Sequence, residues 1–335
     1  MLKVVPHISV VIPVYNSADC LNQLVKQVTE AVEKITENFE IVFIDDCGGD
    51  NSWDVILSLG RLDKRVKGVQ LSRNFGQHHA ITAGLTYATG DYVVVMDCDL
   101  QEDPKYIRDL YDKSQQGFDI VYAKKQRREY SRLRNVVSVC FHRFFAFMSD
   151  FDIDPNIGSF SILTRKVVNA FLQFGDYRRA YLMVLRWLGF KSAFVEVKHR
   201  NRHSGSSSYT LMKLLNQALN MIIAYSDKPL RLSIYLGAAF SSLSFLGVIY
   251  LVLRYVFEGF KEGWTSLIVM TTLVGGLIMF FLGVLGLYIA KIFEQVKGRP
   301  LFLVQSSINM ENVSGPRQNS QTNKVLPADE VKVFG

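Results

Sequence analysis

Cysteine and proline are scarce in this chain: its 335 residues include four cysteines and eight prolines. The cysteines stand far apart and no two of them form a C-x-x-C pair; they are Cys20, Cys47, Cys98 and Cys140. This spacing argues against a zinc site, and a disulfide framework is typical of much shorter chains. We therefore expect buried, reduced thiols in a cytosolic compartment.

Two common nucleotide-binding signatures are absent as well. The sequence has no G-x-x-x-x-G-K-[ST] segment, which excludes a P-loop. Its first apolar stretch continues into "PVYNSAD" instead of G-x-G-x-x-G, which excludes a Rossmann dinucleotide site. No small-residue cleavage site follows the N-terminal segment, so we interpret it as a first strand and not as a signal peptide.

Long apolar runs, in contrast, are present late in the sequence. Hydrophobic residues make up 49% of the chain, which is high enough that membrane segments must be considered first. The two runs are Leu232–Phe257 and Trp264–Ala290. As helices of about 26 residues each they would reach ~39 Å, against ~30 Å of hydrocarbon in a bilayer. We predict a hairpin of two membrane spans, since a buried pair of core helices would need a larger domain around it.

Positive charge predicts how this hairpin is oriented. Basic residues flank it on both outer sides: Lys228, Arg231, Lys291, Lys297 and Arg299. The positive-inside rule then places both ends in the cytoplasm. The net charge of the whole chain, +7, favours anionic partners such as phosphates, acidic lipid or nucleic acid.

The residues before the hairpin alternate between strand and helix patterns. The apolar, β-branched runs are "ISVVIPVY", "FEIVFIDD", "KGVQLS" and "DYVVVMD", and helical patterns separate them. Such alternation predicts an α/β domain with a mostly parallel sheet and flanking helices. In such sheets ligands bind beyond the carboxyl ends of the strands, where Asp45–Asp46 and Asp97–Asp99 fall.

The acidic segment "VVVMDCDLQED" is the most informative of these strand ends. Asp97 and Asp99 stand two residues apart, so in an extended chain their carboxylates point the same way and repel unless a cation lies between them. Mg²⁺ or Mn²⁺ fits such oxygen ligands, although a solvated turn has the same pattern. Glu102 and Asp103 precede Pro104, and we expect them to shape a turn and to face solvent.

Three further segments have open interpretations. The stretches Tyr130–Met148 and Tyr209–Tyr225 are amphipathic, and each suits either the membrane interface or packing on its own domain. The basic run between Lys124 and Arg134 suits anionic lipid or is a solvated loop; without a stacking platform, it does not indicate nucleic-acid binding. The polar tail from about Ser306 is expected to be disordered.

Four motifs in order complete a family pattern. They are "VVIPVYN", "FEIVFIDDCGGDNS", "LSRNFGQHHAITAGLTYATGD" and "VVVMDCDLQEDP". The set resembles the family-2 inverting glycosyltransferases, and within them the polyisoprenyl-phosphate glycosyltransferases, over about residues 6 to 300. The resemblance implies the GT-A fold of nucleotide-diphospho-sugar transferases, followed by two C-terminal transmembrane helices.

The resemblance also implies roles for individual residues. Residues expected at the nucleotide sugar are Pro13, Tyr15, Asp46, Arg73, Asp97 and Cys98. Those expected at Mg²⁺ or Mn²⁺ are Asp97, Asp99 and Gln101. The loop "RHSGSSSY" would close over the diphosphate, and the expected lipid-phosphate contacts are Arg202, Ser207, Tyr209 and Arg132. The catalytic candidates are Asp99, Arg202 and Ser159.

The chain departs from the family pattern at five positions. Ser208 and Gln77 replace lysines, Ser161 replaces an arginine, and Cys47 replaces a glycine. Ser159 stands where many members have a candidate catalytic base. A phosphate monoester has a second pKa of roughly 6 and is largely a dianion at neutral pH, so it can attack without a base. We interpret Ser159 as a changed sugar or acceptor contact.

The sequence thus predicts an integral membrane enzyme with four parts. These are a cytoplasmic catalytic domain (1–208), a juxtamembrane amphipathic helix (209–230), a transmembrane hairpin (231–291) and a cytoplasmic tail whose end is disordered (292–335). The expected reaction moves a sugar, with UDP-hexose as the first choice of donor, to undecaprenyl or dolichyl phosphate at the cytoplasmic face, in bacteria at the plasma membrane. Whether the protein forms a homo-oligomer stays open.

Two alternatives also stay open. The substitutions at the family positions would suit a non-catalytic scaffold that binds a nucleotide sugar. A processive polysaccharide synthase is disfavoured because "MVLRW" has Met183 in place of the usual glutamine of Q-x-x-R-W. Two spans are also too few to enclose a polymer.

Overall fold

The computed structural model describes residues 5–126, 154, 156–177, 179–198, 226, 228–258 and 263–310. They form two compact units. The first, which we call the sheet unit, comprises the described residues up to 126, from 156 to 198 and from 299 to 310. The second, the helix-pair unit, comprises residues 154 and 226 and those from 228 to 298.

The sheet unit is built around one mixed sheet. Its strands are β1 (Ile8–Val14), β2 (Phe39–Asp45), β3 (Val66–Leu71), β4 (Tyr92–Val95), β5 (Ile120–Lys125), β6 (Ile157–Thr164), β7 (Ser192–Val197) and β8 (Val304–Ile308). The eight strands follow the order β7-β5-β6-β4-β1-β2-β3-β8. All run the same way except β6 and β8, which pair antiparallel with their neighbours. The predicted α/β architecture with a mostly parallel sheet is confirmed.

Helices cover both faces of this sheet. They are α1 (Ala18–Val32), α2 (Ser52–Leu62), α3 (Gln77–Tyr87), α4 (Tyr106–Ser114), α5 (Arg165–Gln173) and α6 (Tyr181–Trp187). Alternate strand residues pack on α1, α2 and α4 on one face and on α3, α5 and α6 on the other. β1 is buried along its whole length. This two-sided burial explains why the central strands appear in the sequence as continuous apolar runs.

Pro13 lies inside β1, where a proline is normally excluded because it donates no ladder hydrogen bond. The carbonyl of Val11 accepts from Met96 N at 3.1 Å, and the carbonyl of Val14 accepts from Asp46 N at 2.9 Å. Pro13 therefore shares the β4-facing side with Val11. The ladder with β4 extends only to the pair Val11–Val95, so Pro13 lies beyond its last paired residue. The missing N–H costs no bond there.

Close packing brings α3 to the carboxyl edge of the sheet. Gly84 of α3 lies against β1, and a Cβ built on Gly84 would overlap Cγ1 of Val11. Only glycine permits this distance between helix and strand. The first residue of α3, Gln77, consequently lies near the end of β4.

The segment after the second long helix differs from the expectation of a disordered tail beginning near Ser306. β8 pairs antiparallel with β3 and forms one edge of the sheet, with Val69 opposite Ser307. Just before it, Phe302 is 1% exposed and packs in the core. The polar composition did not indicate disorder here, because one side of an edge strand faces solvent and polar residues are tolerated there.

The helix-pair unit contains two long apolar helices, α7 (Lys228–Glu258) and α8 (Trp264–Val296). Both are long and apolar enough to cross a membrane by length and composition. The second extends beyond the predicted end at Ala290. Within this unit, the hydroxyl of Tyr288 donates to the carbonyl of Ser226 at 2.9 Å.

Candidate active site

Polar side chains gather at the carboxyl edge of the sheet, where β1, β2, β4 and β5 end. β6 runs in the opposite direction, so its first half lies at the same edge. Val95 of β4 pairs with Ser161 of β6, and continuing this register by two residues places Asp97 opposite Ser159. The expectation that chemistry collects beyond these strand ends gives the frame of the site.

Asp97 is the centre of this group. Its Oδ1 accepts hydrogen bonds from Nε2 of Gln77 at 2.8 Å and from Oγ of Ser159 at 2.9 Å. Its backbone N–H donates to Oε2 of Glu102 at 2.9 Å. Two other segments of the chain, together with Glu102 of its own segment, therefore hold this one aspartate.

The electrostatics of the group favour a cation. Burial raises the pKa of Asp97 and the charge of Asp99 adds to this, whereas the bonds from Ser159 and Gln77 and the charge of Lys125 oppose it. Burial, with the charge of Asp97, raises the pKa of Glu102 to about 8. Crowded, partly buried acids bind a cation because it relieves their repulsion.

The expectation that Glu102 and Asp103 face solvent is wrong: they are 5% and 7% exposed. Leu100 adopts φ 58° and is itself buried, so the chain turns inward after the D-x-D segment. Asp103 accepts the backbone N–H of Lys105 at 3.2 Å and pairs with its ammonium at 3.1 Å. Both acids do shape the turn, and they do so from inside it.

The donor set fits a hard divalent ion. Among the described residues no three His, Cys, Asp or Glu side chains come together as a metal cluster. Magnesium-type ions do not need such a cage, because they commonly bind one or two carboxylates together with substrate phosphates and water. Asp97 and Asp99 supply two carboxylates, and Oδ1 of Asp99 orders the next turn by accepting Gln101 N at 3.1 Å. The roles of these residues as ligands remain predictions.

Asp46, expected at the nucleotide, holds a loop of the protein itself. It is 3% exposed, and its two oxygens accept the backbone N–H groups of Phe75 at 2.7 Å and Gly76 at 2.8 Å. Burial raises the pKa of this carboxyl. The loop carries Arg73, whose guanidinium lies 4.7 Å from the ring centroid of Phe75. A direct contact of Asp46 or Arg73 with the nucleotide stays a prediction.

The turns after β1 and β2 are joined to each other. Oδ1 of Asn16 accepts the N–H of Gly49 at 2.7 Å, and Asp50 accepts the N–H of Ala18 at 3.0 Å. Cys47 has φ 53°, a left-handed conformation that favours glycine. This explains why glycine is the usual family residue there. Tyr15, which precedes Asn16, is 52% exposed at this edge.

Another departure from the family pattern, at Ser161, also has a structural consequence. Ser161, in place of the usual arginine, is 0% exposed, and its hydroxyl donates to the carbonyl of Ser159 at 2.9 Å. It also bonds to the hydroxyl of Tyr181 at 2.7 Å. Ser161 therefore anchors the strand that carries Ser159.

Not every predicted residue can be placed. The expected lipid-phosphate residues lie outside the described residues: Arg132, Arg202, Ser207 and Tyr209. Conversely, the sequence patterns had not indicated that Gln77, Glu102 and Lys125 belong to the site. The charge of Lys125 acts on both Asp97 and Glu102. Its position at the end of β5 was the signal that could have identified it, because that strand ends at the same edge.

Comparisons with known proteins identify the family of this chain. The model of the family described as "Glycosyl transferase family 2" matches residues 9–172. A "SfII prophage-derived bactoprenol glucosyl transferase" of Shigella flexneri is 34% identical over 302 residues, 90% of this chain and 98% of the relative. An "Uncharacterized glycosyltransferase YkcC" of Bacillus subtilis is 35% identical over 306 residues, 91% of this chain and 95% of the relative.

A solved structure gives a weaker likeness. The glucosyl-3-phosphoglycerate synthase of Mycobacterium tuberculosis, in complex with Mn²⁺, UDP and phosphoglyceric acid, has a TM-score of 0.44 at 17% identity. The matched region covers 65% of this chain and 76% of the synthase chain. A likeness at this level supports no inference about ligands. The relatives above span nearly the whole sequence, and on their identity this chain is a glycosyltransferase of GT-A fold that belongs to glycosyl transferase family 2.

Proposed function

We propose that this protein transfers a sugar from a nucleotide-diphosphate sugar to a polyisoprenyl phosphate at the cytoplasmic face of a membrane, with inversion at the anomeric carbon. The observation that carries the proposal is the acidic group around Asp97 and Asp99 at the carboxyl edge of the sheet. The names of relatives that act on bactoprenol support the lipid acceptor. The two long apolar helices support a membrane location.

The step balances without an added co-reactant. An oxygen of the acceptor phosphate attacks C1 of the sugar from the side opposite the leaving group. The new C1–O bond forms as the bond from C1 to the nucleotide's β-phosphate oxygen breaks, and the nucleoside diphosphate leaves with the electron pair. A dianionic acceptor needs no proton removed, so the reaction depends mainly on placement and on stabilising the leaving group.

The chain's own residues would perform that placement. Asp97, Asp99 and Gln101 would hold Mg²⁺ or Mn²⁺, and the bound ion would neutralise charge that develops on the departing diphosphate. Lys125 adds a fixed positive charge near these acids. Gln77 and Ser159 hold the Asp97 carboxylate in place.

The direct test uses purified protein, undecaprenyl phosphate and several radiolabelled nucleotide sugars, with UDP-glucose first. Label that enters the organic phase identifies both the reaction and the donor. We expect Asp99→Ala to lower this transfer by at least about a hundredfold, since transition-state charge stabilisation by a single group is commonly worth that much. The exposed substitution Asp112→Ala, on α4, is the matched control and should leave transfer unchanged. A scaffold would show no transfer with any donor.

Ser159 provides a second prediction. If the acceptor attacks as a dianion, Ser159→Asp adds nothing that the reaction lacks. The turnover number should therefore not rise, and it should fall because a second carboxylate repels Asp97. Steady-state rates of lipid labelling measure this, and a large increase in turnover would show that a general base is needed.

A further inference from the structure

Two uncharged side chains meet at a single carboxylate oxygen in this site. Nε2 of Gln77 and Oγ of Ser159 donate to Oδ1 of Asp97, at 2.8 and 2.9 Å. Gln77 begins α3 and Ser159 lies in β6, while Asp97 follows β4. Three separate elements thus converge on one atom.

This geometry determines the direction of the carboxylate. The backbone of Asp97 is already held through its N–H by Glu102. Both side-chain donors use Oδ1, so rotation of the Asp97 side chain would break two hydrogen bonds at once. Oδ2 takes part in neither bond and points in a direction that the two donors impose. Groups that hold a ligand side chain in this way commonly decide the affinity of a metal site.

The charges of the pair are as informative as its geometry. Positions 77 and 159 are two of the places where this chain departs from the residues that its family pattern predicts, a lysine and an acid. A lysine alone at 77 would form an ion pair with Asp97 and compete with a bound cation. An acid alone at 159 would set a second carboxylate against Oδ1. Replacing both by neutral donors leaves the local charge unchanged and keeps Asp97 held.

We propose that Gln77 and Ser159 are a coupled pair of positioning residues, which orient the Asp97 carboxylate towards the divalent ion of the donor site. Neither position accepts its charged alternative unless the other changes with it. The proposal rests on the metal-dependent donor site of the proposed function, and it assigns Ser159 a role other than contact with sugar or acceptor.

The first experiment measures Mn²⁺ binding by the full chain in detergent, from the free Mn²⁺ signal in electron paramagnetic resonance, without sugar nucleotide or lipid. Gln77→Ala and Ser159→Ala are each expected to raise the Kd for Mn²⁺ roughly tenfold. The Kd of the double variant for Mn²⁺ should exceed that of either single variant by no more than about twofold. Once one donor is lost the carboxylate can turn, so losing the second has little further effect.

Two controls separate positioning from general stability. Ser159→Thr keeps a hydroxyl donor, and its Kd for Mn²⁺ should stay within about twofold of the unaltered protein. Ser9→Ala removes a hydroxyl that is 0% exposed and bonds Glu40 at the amino ends of the strands, away from the site. It should lower the melting temperature and leave Mn²⁺ binding unchanged.

A second experiment uses charge and needs no metal. Ser159→Asp should lower the melting temperature of the metal-free protein, and adding Gln77→Lys to the same chain should restore at least half of the loss. Three results would each overturn the proposal. The single alanine variants could bind Mn²⁺ as tightly as the unaltered protein, or the increases in Kd of the two single variants could multiply in the double variant. Gln77→Lys could also fail to restore the melting temperature of Ser159→Asp. An unaltered protein that binds no Mn²⁺ would overturn it as well. Because neither sugar nor lipid is present, these outcomes are independent of whether the lipid-transfer assay succeeds.

Discussion

At the scale of single residues, Cys98 shows how closely two functions can be placed along the chain. It stands between Asp97 and Asp99, yet it is 8% exposed and packs in the core cluster on the α1 side of the sheet. Burial raises the pKa of its thiol to about 11. The thiol is thus protonated at neutral pH and supplies no thiolate for a metal ion. The expected contact of Cys98 with the nucleotide sugar stays untested, and its side chain serves the core.

Alkylation should distinguish this thiol from the others. We expect iodoacetamide at pH 8 to modify Cys98 at least about tenfold more slowly than the half-buried Cys47, since both access and thiolate are reduced. Peptide mass spectrometry at timed intervals measures the two rates. In urea the rates should become similar, and similar rates in the folded protein would contradict the burial of Cys98.

At the scale of elements, the strand after the second long helix completes the sheet unit. The N–H of Ser72 donates to the carbonyl of Leu303 at 2.9 Å, just before β8 begins. Asn309, with φ 56°, closes the strand by donating from Nδ2 to the carbonyls of Gly60 at 2.6 Å and Val66 at 2.8 Å. Ser306 bonds Gln70, which in turn donates to Asp45 at the end of β2. This segment therefore supports one side of the candidate site.

Adjacent residues of this segment allow a matched stability test. Phe302 is 1% exposed and contacts the ring of Tyr87 edge-on at 6.3 Å, whereas Leu303 is 52% exposed. Phe302→Ala should lower the unfolding free energy of the sheet unit by about 3–5 kcal/mol, because it leaves a cavity in the core. Leu303→Ala should change it by no more than ~0.5 kcal/mol. Thermal unfolding in detergent compares them, and equal losses would show that the segment is not part of the core.

At the scale of the whole sheet unit, the two ends of the parallel strands, the carboxyl edge and the amino edge, have different roles. At the carboxyl edge burial raises the pKa of Asp97 and of Glu102, and the charges of neighbouring acids add to this. At the amino edge the Glu40 carboxylate, 2% exposed, is held at both oxygens: Oε1 accepts from Ser9, from the backbone N–H of Thr89 and from its hydroxyl. Its Oε2 pairs with Lys67. The amino edge stabilises the fold, which allows the other edge to keep acids that favour a ligand.

Glu40 makes stability depend on pH in a defined direction. Burial alone would raise its pKa, but the bonds from Lys67, Ser9 and Thr89 outweigh burial and hold the pKa below the ordinary 4.5. A lowered carboxyl pKa stabilises the fold above the unfolded value, and this contribution is lost as pH falls through the folded value. Glu40→Gln should therefore reduce the melting temperature most at pH 7, and the difference should shrink below about pH 4.

Melting curves between pH 3 and 7 test this. The substitution of an exposed residue, Glu37→Gln, is the control and should leave the melting temperature unchanged at every pH. A loss that stays constant across this range would mean that Glu40 is not ionised in the folded protein.

Much of the architecture was predictable because it depends on local pattern. Apolar β-branched runs predicted β1 to β4, and the helix expected from about Ser52 begins there. The register between β4 and β6 was not predictable, because Asp97 and Ser159 lie 62 positions apart and pair only through a strand that runs in the opposite direction. The same is true of β8, which is recognisable as a strand only beside β3.

The sequence by itself determined the α/β architecture, the two long apolar helices and the acidic segment at the end of β4, because period, length and charge are properties of neighbouring residues. Tertiary structure alone decided which side chains surround Asp97. It turned Glu102 inward, brought Gln77 and Ser159 to one oxygen, and added β8 to the sheet. The physical reason is that hydrogen bonds and burial depend on which distant segments pack together, and the order of residues along the chain does not contain that information locally.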